Sequence, residues 1–269
     1  MTEYEQIVEL WRGFNIKTVS DLDLRLDSFR ILFAYNSGKI ENPEITYHDT
    51  RDVFENDKAN HFSGHPTTLT EISNQKKCYE FLLPKIIAAE PISIQLIKEA
   101  HSITTMATYD NRRYFELGER PGAFKKHDFV VGKNEVGSMP EDVEGDLIKL
   151  LDEINSIDLL TPNSVQKDAG HLPTPHTILK AATYFHMCFE HIHPFADGNG
   201  RVGRSMMNYF LMIHNHPPLI VYDEDRAEYY GALEQCDESE DIEPLFDFFM
   251  RQLIKTWEKV LGRHKKRAF

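Results

Sequence analysis

The side chains best suited to chemistry lie in one segment of twelve residues, 193–204, whose sequence is HPFADGNGRVGR. Gly198 and Gly200 let the backbone turn its N–H groups toward one point, and a helix that starts there adds unpaired N–H groups and its positive dipole end. Arg201 and Arg204 are three residues apart, so on the first helical turn both can donate forked hydrogen bonds to one ligand. The segment therefore predicts an anion site of the kind that binds phosphate.

Two further side chains of this segment would complete a site for phosphate chemistry. Asp197 is suited to hold Mg²⁺ against phosphates, since this ion commonly takes one or two carboxylates together with phosphate oxygens and water. His193, at the end of the preceding helix, is the available general base. Two other interpretations stay open at this point. The Asp-Gly and Asn-Gly pairs could simply form a tight turn, or His191 and His193 could be a metal-ligand pair of a phosphohydrolase.

The elements on either side of this segment are predicted to be helices. Apolar residues recur at steps of three and four along the chain, whereas long alternating stretches are scarce, which indicates a mainly α fold. Before the segment, one apolar stripe is formed by Ile178, Ala182, Phe185, Phe189 and Ile192. After it, a helix over about 200–213 has on its buried side Val202, Met206, Tyr209 and Ile213.

The remaining sequence predicts further helices and one small β element. Residues 20–35 have a helical apolar face, with Ser20 or Asp21 placed to cap the first turn, and a polar connection at 36–44 follows. Pro84 and Pro91 punctuate the next stretch, and later helices are predicted at 92–106 and 141–154. Two short runs, Ala123–Lys126 and Phe129–Val131, end at Gly132 and are interpreted as a hairpin.

Composition excludes several classes of protein. The chain has 43 acidic residues against 30 Lys and Arg, a net charge of −13, so a broad cationic surface for direct nucleic-acid binding is not expected. No apolar run approaches the roughly 20 residues of a membrane-spanning helix, and the N-terminus lacks the pattern of a secretory signal. Cys78, Cys188 and Cys236 have no disulfide-type spacing, which suits free thiols. We therefore expect a cytoplasmic protein without membrane contact.

The segment 193–204 matches at every fixed position the signature of the Fic family, His-x-Phe-x-Asp/Glu-Gly-Asn-Gly-Arg-x-x-Arg. The resemblance extends over roughly residues 90–250, because Ala182 and His186 before the motif, and Pro217-Pro218 after it, also look like a Fic domain. Such a resemblance implies a Fic-type helical bundle with a small β-hairpin flap. It also divides the chain into an N-terminal helical region, 1–89, a Fic core, 90–250, and a C-terminal helix with a basic tail, 251–269.

The resemblance implies a protein adenylyltransferase, which uses ATP and Mg²⁺ to attach AMP to a Ser, Thr or Tyr hydroxyl. His193 would deprotonate the hydroxyl, which then attacks the α-phosphate, and Asp197 would bind Mg²⁺. Gly198, Asn199 and Gly200 would hold the α- and β-phosphates. By the same resemblance, Arg201 would contact the β-phosphate and Arg204 would contact the γ-phosphate.

Other nucleotide contacts and the target site are also implied by the resemblance. The flap, residues 123–132, would align an extended segment of the target protein by backbone pairing, although Lys125 stands where the family often has Arg. Its second strand adds the expected nucleotide contacts Phe129, Val130, Val131 and Gly132. Tyr229 and Tyr230 fall where family members line the adenine pocket, but two adjacent aromatics cannot both face one pocket, so packing is the alternative. A homo-oligomer is kept open.

A second pattern lies near the N-terminus, in the sequence SGKIEN of residues 37–42. Ser37, Glu41 and Asn42 fit the family's inhibitory pattern, Ser/Thr-x-x-x-Glu-Gly/Asn, in the subclass with an N-terminal inhibitory helix. Glu41 would then pair with Arg204 and remove the donor for the γ-phosphate. The alternative is an ordinary helix start, with Ser37 as the cap.

Two alternatives to an adenylyltransferase stay open, and they belong to different functional classes. A phosphotransferase of the Doc type, or a transferase of another nucleotide or phospho-group, shares the fold, but the Doc loop lacks the second glycine that Gly200 supplies here. A non-catalytic ATP-binding adaptor is the other class, and the intact His193 argues against it.

Overall fold

The structure is a computed structural model that describes residues 1–58, 62, 64–129, 137–158, 174–239 and 241–267. The α-helices are α1 Glu3–Gly13, α2 Val19–Arg25, α3 Asp27–Glu41, α4 Tyr47–Asn56, α5 Pro66–Ile87, α6 Ile94–Thr105, α7 Val143–Asp158, α8 Pro175–Ile192, α9 Asn199–Ile213, α10 Arg226–Ser239 and α11 Glu243–Arg267. A π-helical turn spans Arg112–Glu116 and a 3₁₀ turn spans Asp223–Asp225. The prediction of a mainly α fold is confirmed.

The predicted hairpin is not confirmed. Within the ranges that the structure describes, no residue lies in a β-strand, and residues 123–129 form bends and irregular backbone. Residues 130–132, the end of the second predicted strand, lie outside the described residues. The hairpin therefore stays a prediction.

The helices α8 and α9 form the centre of the core and position the candidate site. Phe185 and Phe189 on α8 are fully buried, as are Val202 and Met206 on α9, so both predicted stripes are confirmed, apart from the half-buried Ile213 at the end of α9. Nearly every residue from Asn199 to Leu211 is buried. Because other elements surround α9 on all sides, even its arginine side chains lie in the interior.

The N-terminal region differs from its prediction in where its helices begin and end. Thr18 caps α2 and forms a capping box with Asp21, so the predicted cap at Ser20 or Asp21 is wrong. The predicted helix 20–35 is two helices separated at Leu26. The second of them, α3, continues to Glu41 through the stretch predicted as a polar connection.

Buried hydrogen bonds explain why α3 continues through this polar stretch. The Asn36 amide nitrogen donates to the Leu32 carbonyl oxygen at 2.8 Å, and its oxygen accepts from the Asp223 N–H at 3.0 Å. Asn36 and Ser37 are both buried. Polar side chains that find partners in this way can be buried at little cost, so a polar stretch need not be a surface loop.

Pro84 does not punctuate the sequence as predicted but lies inside α5, near its C-terminal end. A proline there removes one intrahelical hydrogen bond, while burial of Leu82, Leu83 and Ile86 in the core favours the helix. The N–H of Ala88 still donates to the Pro84 carbonyl oxygen at 3.0 Å, which closes the last turn.

The terminal helices pack on the same core as the centre of the fold. Trp11 of α1 contacts Trp257 of α11, with their ring centroids 5.4 Å apart, and both side chains are buried. Farther along the N-terminal region, α3 and α5 pack against α9, which brings residues 37–42 beside the motif. No helix in the described ranges is both long enough and apolar enough to cross a membrane. All three cysteines are free.

Candidate active site

The signature loop, residues 193–198, connects α8 to α9 through two left-handed residues. His193 ends α8 with φ 49°, and its N–H donates to the Phe189 carbonyl oxygen at 3.0 Å. Gly198 begins α9 with φ 80°, a conformation that side chains rarely adopt. A Cβ atom there would also lie 2.5 Å from Cγ2 of Thr105, so only glycine fits.

Asn199 holds the signature loop in shape. Its amide nitrogen donates to the Phe195 carbonyl oxygen at 2.7 Å, and its oxygen accepts from the Phe195 N–H at 2.9 Å. Because both ends of the amide are used within the loop, a bound phosphate would meet the backbone N–H of Asn199 rather than its side chain. Phe195 itself is fully buried, which fixes the loop to the core.

A cavity of about 200 Å³ opens at the N-terminal end of α9. Eight residues that the sequence predicts for the site line it together: Glu41, Phe129, His193, Asp197, Gly198, Asn199, Gly200 and Arg201. The candidate base, the carboxylate and the backbone of the anion site therefore face one space. Arg113 and Ala196 also line it.

Arg204 lies behind this cavity and is held by the end of α3. Its Nη2 lies 2.7 Å from Glu41 Oε1 and 2.9 Å from the Ser37 carbonyl oxygen, and its Nε donates to Ser37 Oγ at 3.1 Å. The Arg204 side chain is 1% exposed. The predicted pairing of Glu41 with Arg204 is thus present, and Ser37 contributes its own two contacts instead of capping a helix.

Glu41 also lies against the backbone of the anion site. A Cβ atom on Gly200 would overlap with Glu41 Oε1 and crowd the Arg204 guanidinium. The carboxylate therefore occupies space beside Gly200 where an anionic ligand of this site would meet the start of α9.

Asn42 connects the end of α3 to a second arginine of the motif. Its amide donates to Glu71 Oε2 at 2.8 Å and to Thr68 Oγ1 at 3.1 Å. Glu71 Oε1 in turn lies 3.4 Å from Arg201 Nη1, while Arg201 Nη2 lies 3.5 Å from Asp197 Oδ1. Arg201 is thus held between a carboxylate of α5 and the carboxylate of its own loop.

The part of the chain that contains the signature loop matches a known protein family. Residues 91–211, from just before α6 to the end of α9, match the model of the Fic/DOC family. The chain contains a Fic/DOC family domain.

Curated relatives match about a third of this chain. The protein adenylyltransferase Fic of Drosophila erecta is 39% identical over 94 residues, which are 35% of this chain and 18% of that protein. The relative of the same name from Aedes aegypti is 43% identical over 83 residues, 31% of this chain and 16% of the relative. The chain therefore matches less than a fifth of the length of these relatives.

Solved structures share the fold over nearly the whole chain. A Fic domain containing signaling protein from Bacteroides thetaiotaomicron aligns with a TM-score of 0.79 and 21% identity, over 98% of this chain and 97% of that one. Fic-1 from C. elegans aligns with a TM-score of 0.73 and 22% identity, over 98% of this chain and 73% of that one. These likenesses extend the Fic fold beyond residues 91–211 to the N-terminal helices.

Burial and neighbouring charges together set the protonation of His193 and Glu41. Burial lowers the pKa of His193 to about 4, and the positive charge of Lys125 acts in the same direction. Burial opposes ionisation of Glu41, but the neighbouring Arg204 outweighs it and holds the pKa of Glu41 below its usual value. At neutral pH His193 is therefore an unprotonated imidazole, and Glu41 is an anion paired with Arg204.

The lowered pKa of His193 predicts that the turnover rate does not fall in mildly acidic solution. A histidine with a pKa of about 6.5 would lose about nine tenths of its base form by about pH 5.5. Because the pKa of His193 is about 4, its base form persists there, and removal of the Glu41 charge lowers that pKa further. We expect the turnover rate of a Glu41→Gly form at saturating ATP to stay constant from about pH 8 to about pH 5.5. A decline centred near pH 6.5 would contradict the burial of His193.

The two tyrosines predicted for the adenine pocket lie in different surroundings. Tyr229 is 1% exposed, its hydroxyl lies 2.7 Å from His186 Nε2, and its ring packs against Phe248 and Phe249. It is not among the residues that line the cavity, so the packing interpretation applies to Tyr229. Tyr230 is 38% exposed and lies under the Arg226 guanidinium, and its contact with adenine stays a prediction.

The described part of the predicted hairpin, residues 123–129, is attached to the signature loop. The Lys125 N–H donates to the Pro194 carbonyl oxygen at 2.9 Å, and Phe129 reaches the cavity. Val130, Val131 and Gly132, which were predicted as nucleotide contacts, lie outside the described residues.

The alternative of a metal pair at His191 and His193 receives no support. Among the described residues, no three His, Cys, Asp or Glu side chains come together as a metal site. His191 instead faces Asp237, with 3.6 Å between Nδ1 and Oδ1.

Sequence reasoning missed three residues of the site. Arg113 lines the cavity and Glu71 contacts Arg201, and the local sequence of neither residue carries a recognisable signal. His101 is the third, and it contacts the signature loop from α6. A signal did exist for His101, since it shares the apolar face of α6 with Ile97 and Ala100, all of them buried.

Proposed function

We propose that the chain is a protein adenylyltransferase, which transfers AMP from ATP to a Ser, Thr or Tyr hydroxyl of a target protein and releases pyrophosphate. The observation that carries the proposal is the shared cavity: His193, Asp197 and the backbone of Gly198–Gly200 all line it. The names of the Drosophila erecta and Aedes aegypti relatives support the same activity.

The transfer step follows from what each group can do. Neutral His193 accepts the proton of the target hydroxyl, whose oxygen then forms a bond to the α-phosphorus. The bond from that phosphorus to the bridging oxygen breaks, and its electron pair leaves with pyrophosphate. The backbone N–H groups at the start of α9 stabilise the charge on the phosphates, and Arg201 adds a fixed positive charge beside them.

Asp197 is the residue that would hold Mg²⁺. Its carboxylate is 34% exposed in the cavity wall beside the phosphate-binding backbone. One carboxylate is sufficient here, since Mg²⁺ is commonly bound by one or two carboxylates with substrate phosphates and water. When bound, the ion would neutralise part of the phosphate charge.

Substitution of Asp197 tests this assignment. In a Glu41→Gly background, Asp197→Ala is expected to abolish the enhancement of ATP binding by Mg²⁺, because the ion loses its protein ligand. The effect of Mg²⁺ on ATP affinity should fall by at least roughly 10- to 100-fold, because removal of a residue that only supports a metal ligand already causes a loss of that size. Calorimetric titration of ATP with and without Mg²⁺ measures it, with Asp237→Ala as the matched control. An unchanged effect of Mg²⁺ would contradict the assignment.

We further propose that Glu41 inhibits the enzyme by competing with ATP for Arg204. Glu41 and the γ-phosphate are both anions, and one guanidinium cannot pair with both in the same geometry. With Arg204 occupied by Glu41, ATP could bind through the α9 backbone but without the contact that aligns its α-phosphate. A target segment would dock at residues 123–132, of which Phe129 lines the cavity.

The mass of the modified protein distinguishes the candidate activities. The Glu41→Gly form, incubated with ATP and Mg²⁺, is expected to gain the mass of an adenylyl group on itself, measured on the intact protein and located by peptide mapping. Gain of a phosphoryl group would instead establish the Doc-type phosphotransferase. No adduct on itself or on proteins of a lysate, despite measurable ATP binding, would establish the adaptor.

A further inference from the structure

His101 lies in α6, 96 positions before the residue of the signature loop that it contacts, and it is fully buried. Its Nε2 lies 2.9 Å from the Asp197 carbonyl oxygen, and its Nδ1 lies 2.8 Å from the Gly122 backbone nitrogen. The imidazole also stacks on the Phe195 ring, with centroids 3.6 Å apart and planes within 4°. One side chain therefore contacts both the signature loop and the start of the segment 123–129.

The two contacts require one tautomer of neutral imidazole. The Gly122 N–H can only donate, so Nδ1 must accept, and the Asp197 carbonyl can only accept, so Nε2 must carry the hydrogen. A hydrogen on Nδ1 would break the contact with Gly122.

The contact with Asp197 fixes a peptide group that also orients the Asp197 carboxylate. The carbonyl of the Asp197–Gly198 peptide accepts from His101, and the N–H of the same peptide donates to Asp197 Oδ1 at 2.6 Å. Because a peptide group is planar, holding its carbonyl also fixes the direction of its N–H. Rotation of this peptide would move the carboxylate that faces the cavity.

The contact with Gly122 fixes the start of the segment proposed to receive the target. Gly122 immediately precedes residues 123–129, and three positions later the Lys125 N–H donates to the Pro194 carbonyl oxygen. The segment is thus attached to the signature loop at Pro194 and to His101 at Gly122.

We infer that His101 is a positioning residue with two separable roles: its Nε2–H orients the Asp197 carboxylate toward Mg²⁺ and nucleotide, and its Nδ1 anchors the target-docking segment. This inference rests on the proposed adenylyltransferase function. His101 touches neither reacting group, so it acts only through Asp197 and Gly122.

Two amide substitutions separate these roles. In a glutamine the terminal nitrogen reaches the position of Nε2, so His101→Gln retains a donor to Asp197 and loses the acceptor for Gly122. In an asparagine the oxygen reaches the position of Nδ1, so His101→Asn retains the acceptor for Gly122 and loses the donor to Asp197. Both are made in the Glu41→Gly background, with Tyr109→Phe as the control, because the Tyr109 hydroxyl has only a 3.4 Å contact with His101 Nε2.

The expected results differ between the two variants. His101→Asn should weaken Mg²⁺-dependent ATP binding by roughly tenfold in calorimetry, with binding of ATP without Mg²⁺ unchanged. His101→Gln should bind ATP with Mg²⁺ as its parent does, but its rate of self-labelling at saturating ATP should fall by roughly tenfold. Tyr109→Phe should match the parent in both measurements.

If His101 only stabilised the fold, the two variants would not differ in which property they lose. Equal losses of both properties in both variants, or no loss of either, would overturn the inference. Nitrogen chemical shifts of His101 in the Glu41→Gly parent, recorded at about pH 8, above the usual histidine pKa near 6.5, provide a test that needs no substitution at position 101. An Nε2–H tautomer is expected, and an Nδ1–H tautomer would overturn the inference. If the parent transfers no AMP, the proposed function fails, while calorimetry and the tautomer still test His101.

Discussion

Replacing Glu41 with glycine is expected to raise the rate of AMP transfer by roughly 5- to 150-fold, the range that corresponds to a typical coupling free energy of about 1 to 3 kcal/mol. The reason is the ion pair of 2.7 Å that Glu41 makes with the buried Arg204. Without the carboxylate, Arg204 is available to the γ-phosphate, and the space beside Gly200 is open. The gain should be mainly in turnover and less in ATP affinity, because alignment of the α-phosphate acts on the transition state. Transfer of label from α-labelled ATP measures it.

Two further variants test whether Arg204 is the residue released. Adding Arg204→Ala to Glu41→Gly should cancel the gain, since the γ-phosphate then has no guanidinium to pair with. Glu41→Gln is the matched control, because it retains the size of the side chain but not the charge, and it should activate as well. Equal labelling by wild type and Glu41→Gly would refute inhibition by Glu41 and leave the Fic domain assignment intact.

Removal of His193 has the second large expected effect. In the Glu41→Gly background, His193→Ala should lower AMP transfer by roughly 10²- to 10⁴-fold, the usual contribution of a general base. ATP binding should be retained, because the backbone of Gly198–Gly200 and both arginines remain. Single-turnover transfer and calorimetric ATP titration measure the two properties separately.

His191→Ala is the matched control for the base. His191 lies two residues away, is 59% exposed and faces Asp237 outside the cavity. This variant should transfer AMP at the parent rate. Appreciable turnover by His193→Ala would indicate another base, and loss of ATP binding in that variant would mean that His193 holds the loop rather than the proton.

The signature loop could be predicted from sequence because its interactions are local. Gly198 begins α9, Asn199 bonds to Phe195 four residues earlier, and the predicted anion site lies at the N-terminal turn of the same helix. Spacing along one short segment therefore contains most of what determines this geometry. The pairing of Glu41 with Arg204 is long-range, and it was predicted from the family resemblance rather than from physical reasoning.

The extent of α3 could not be predicted from local sequence. The stretch 36–44 reads as a polar connection, and its helical part exists because Asn36 bonds to Asp223 and Ser37 bonds to Arg204. Both partners are more than 160 residues away in the chain. Tertiary partners of this kind override local propensity.

The residues that sequence reasoning missed share the same property. Glu71 meets Arg201 across 130 positions, and His101 meets Asp197 across 96. Tyr229 is the opposite case, because its family position predicts a ligand contact, which stays a prediction, whereas aromatic rings surround it in the core. In each case the deciding information is which helices lie side by side, and the sequence of a single element does not contain it.

Parallel reactions of wild type and Glu41→Gly with ATP labelled at the α- or the γ-phosphate test the central claim most directly. The proposed mechanism predicts that protein acquires the α-label and not the γ-label, because pyrophosphate carries the γ-phosphate away. It also predicts that Glu41→Gly acquires far more α-label than wild type. Acquisition of the γ-label by protein, or equal α-label in the two forms, would contradict an adenylyltransferase inhibited by Glu41.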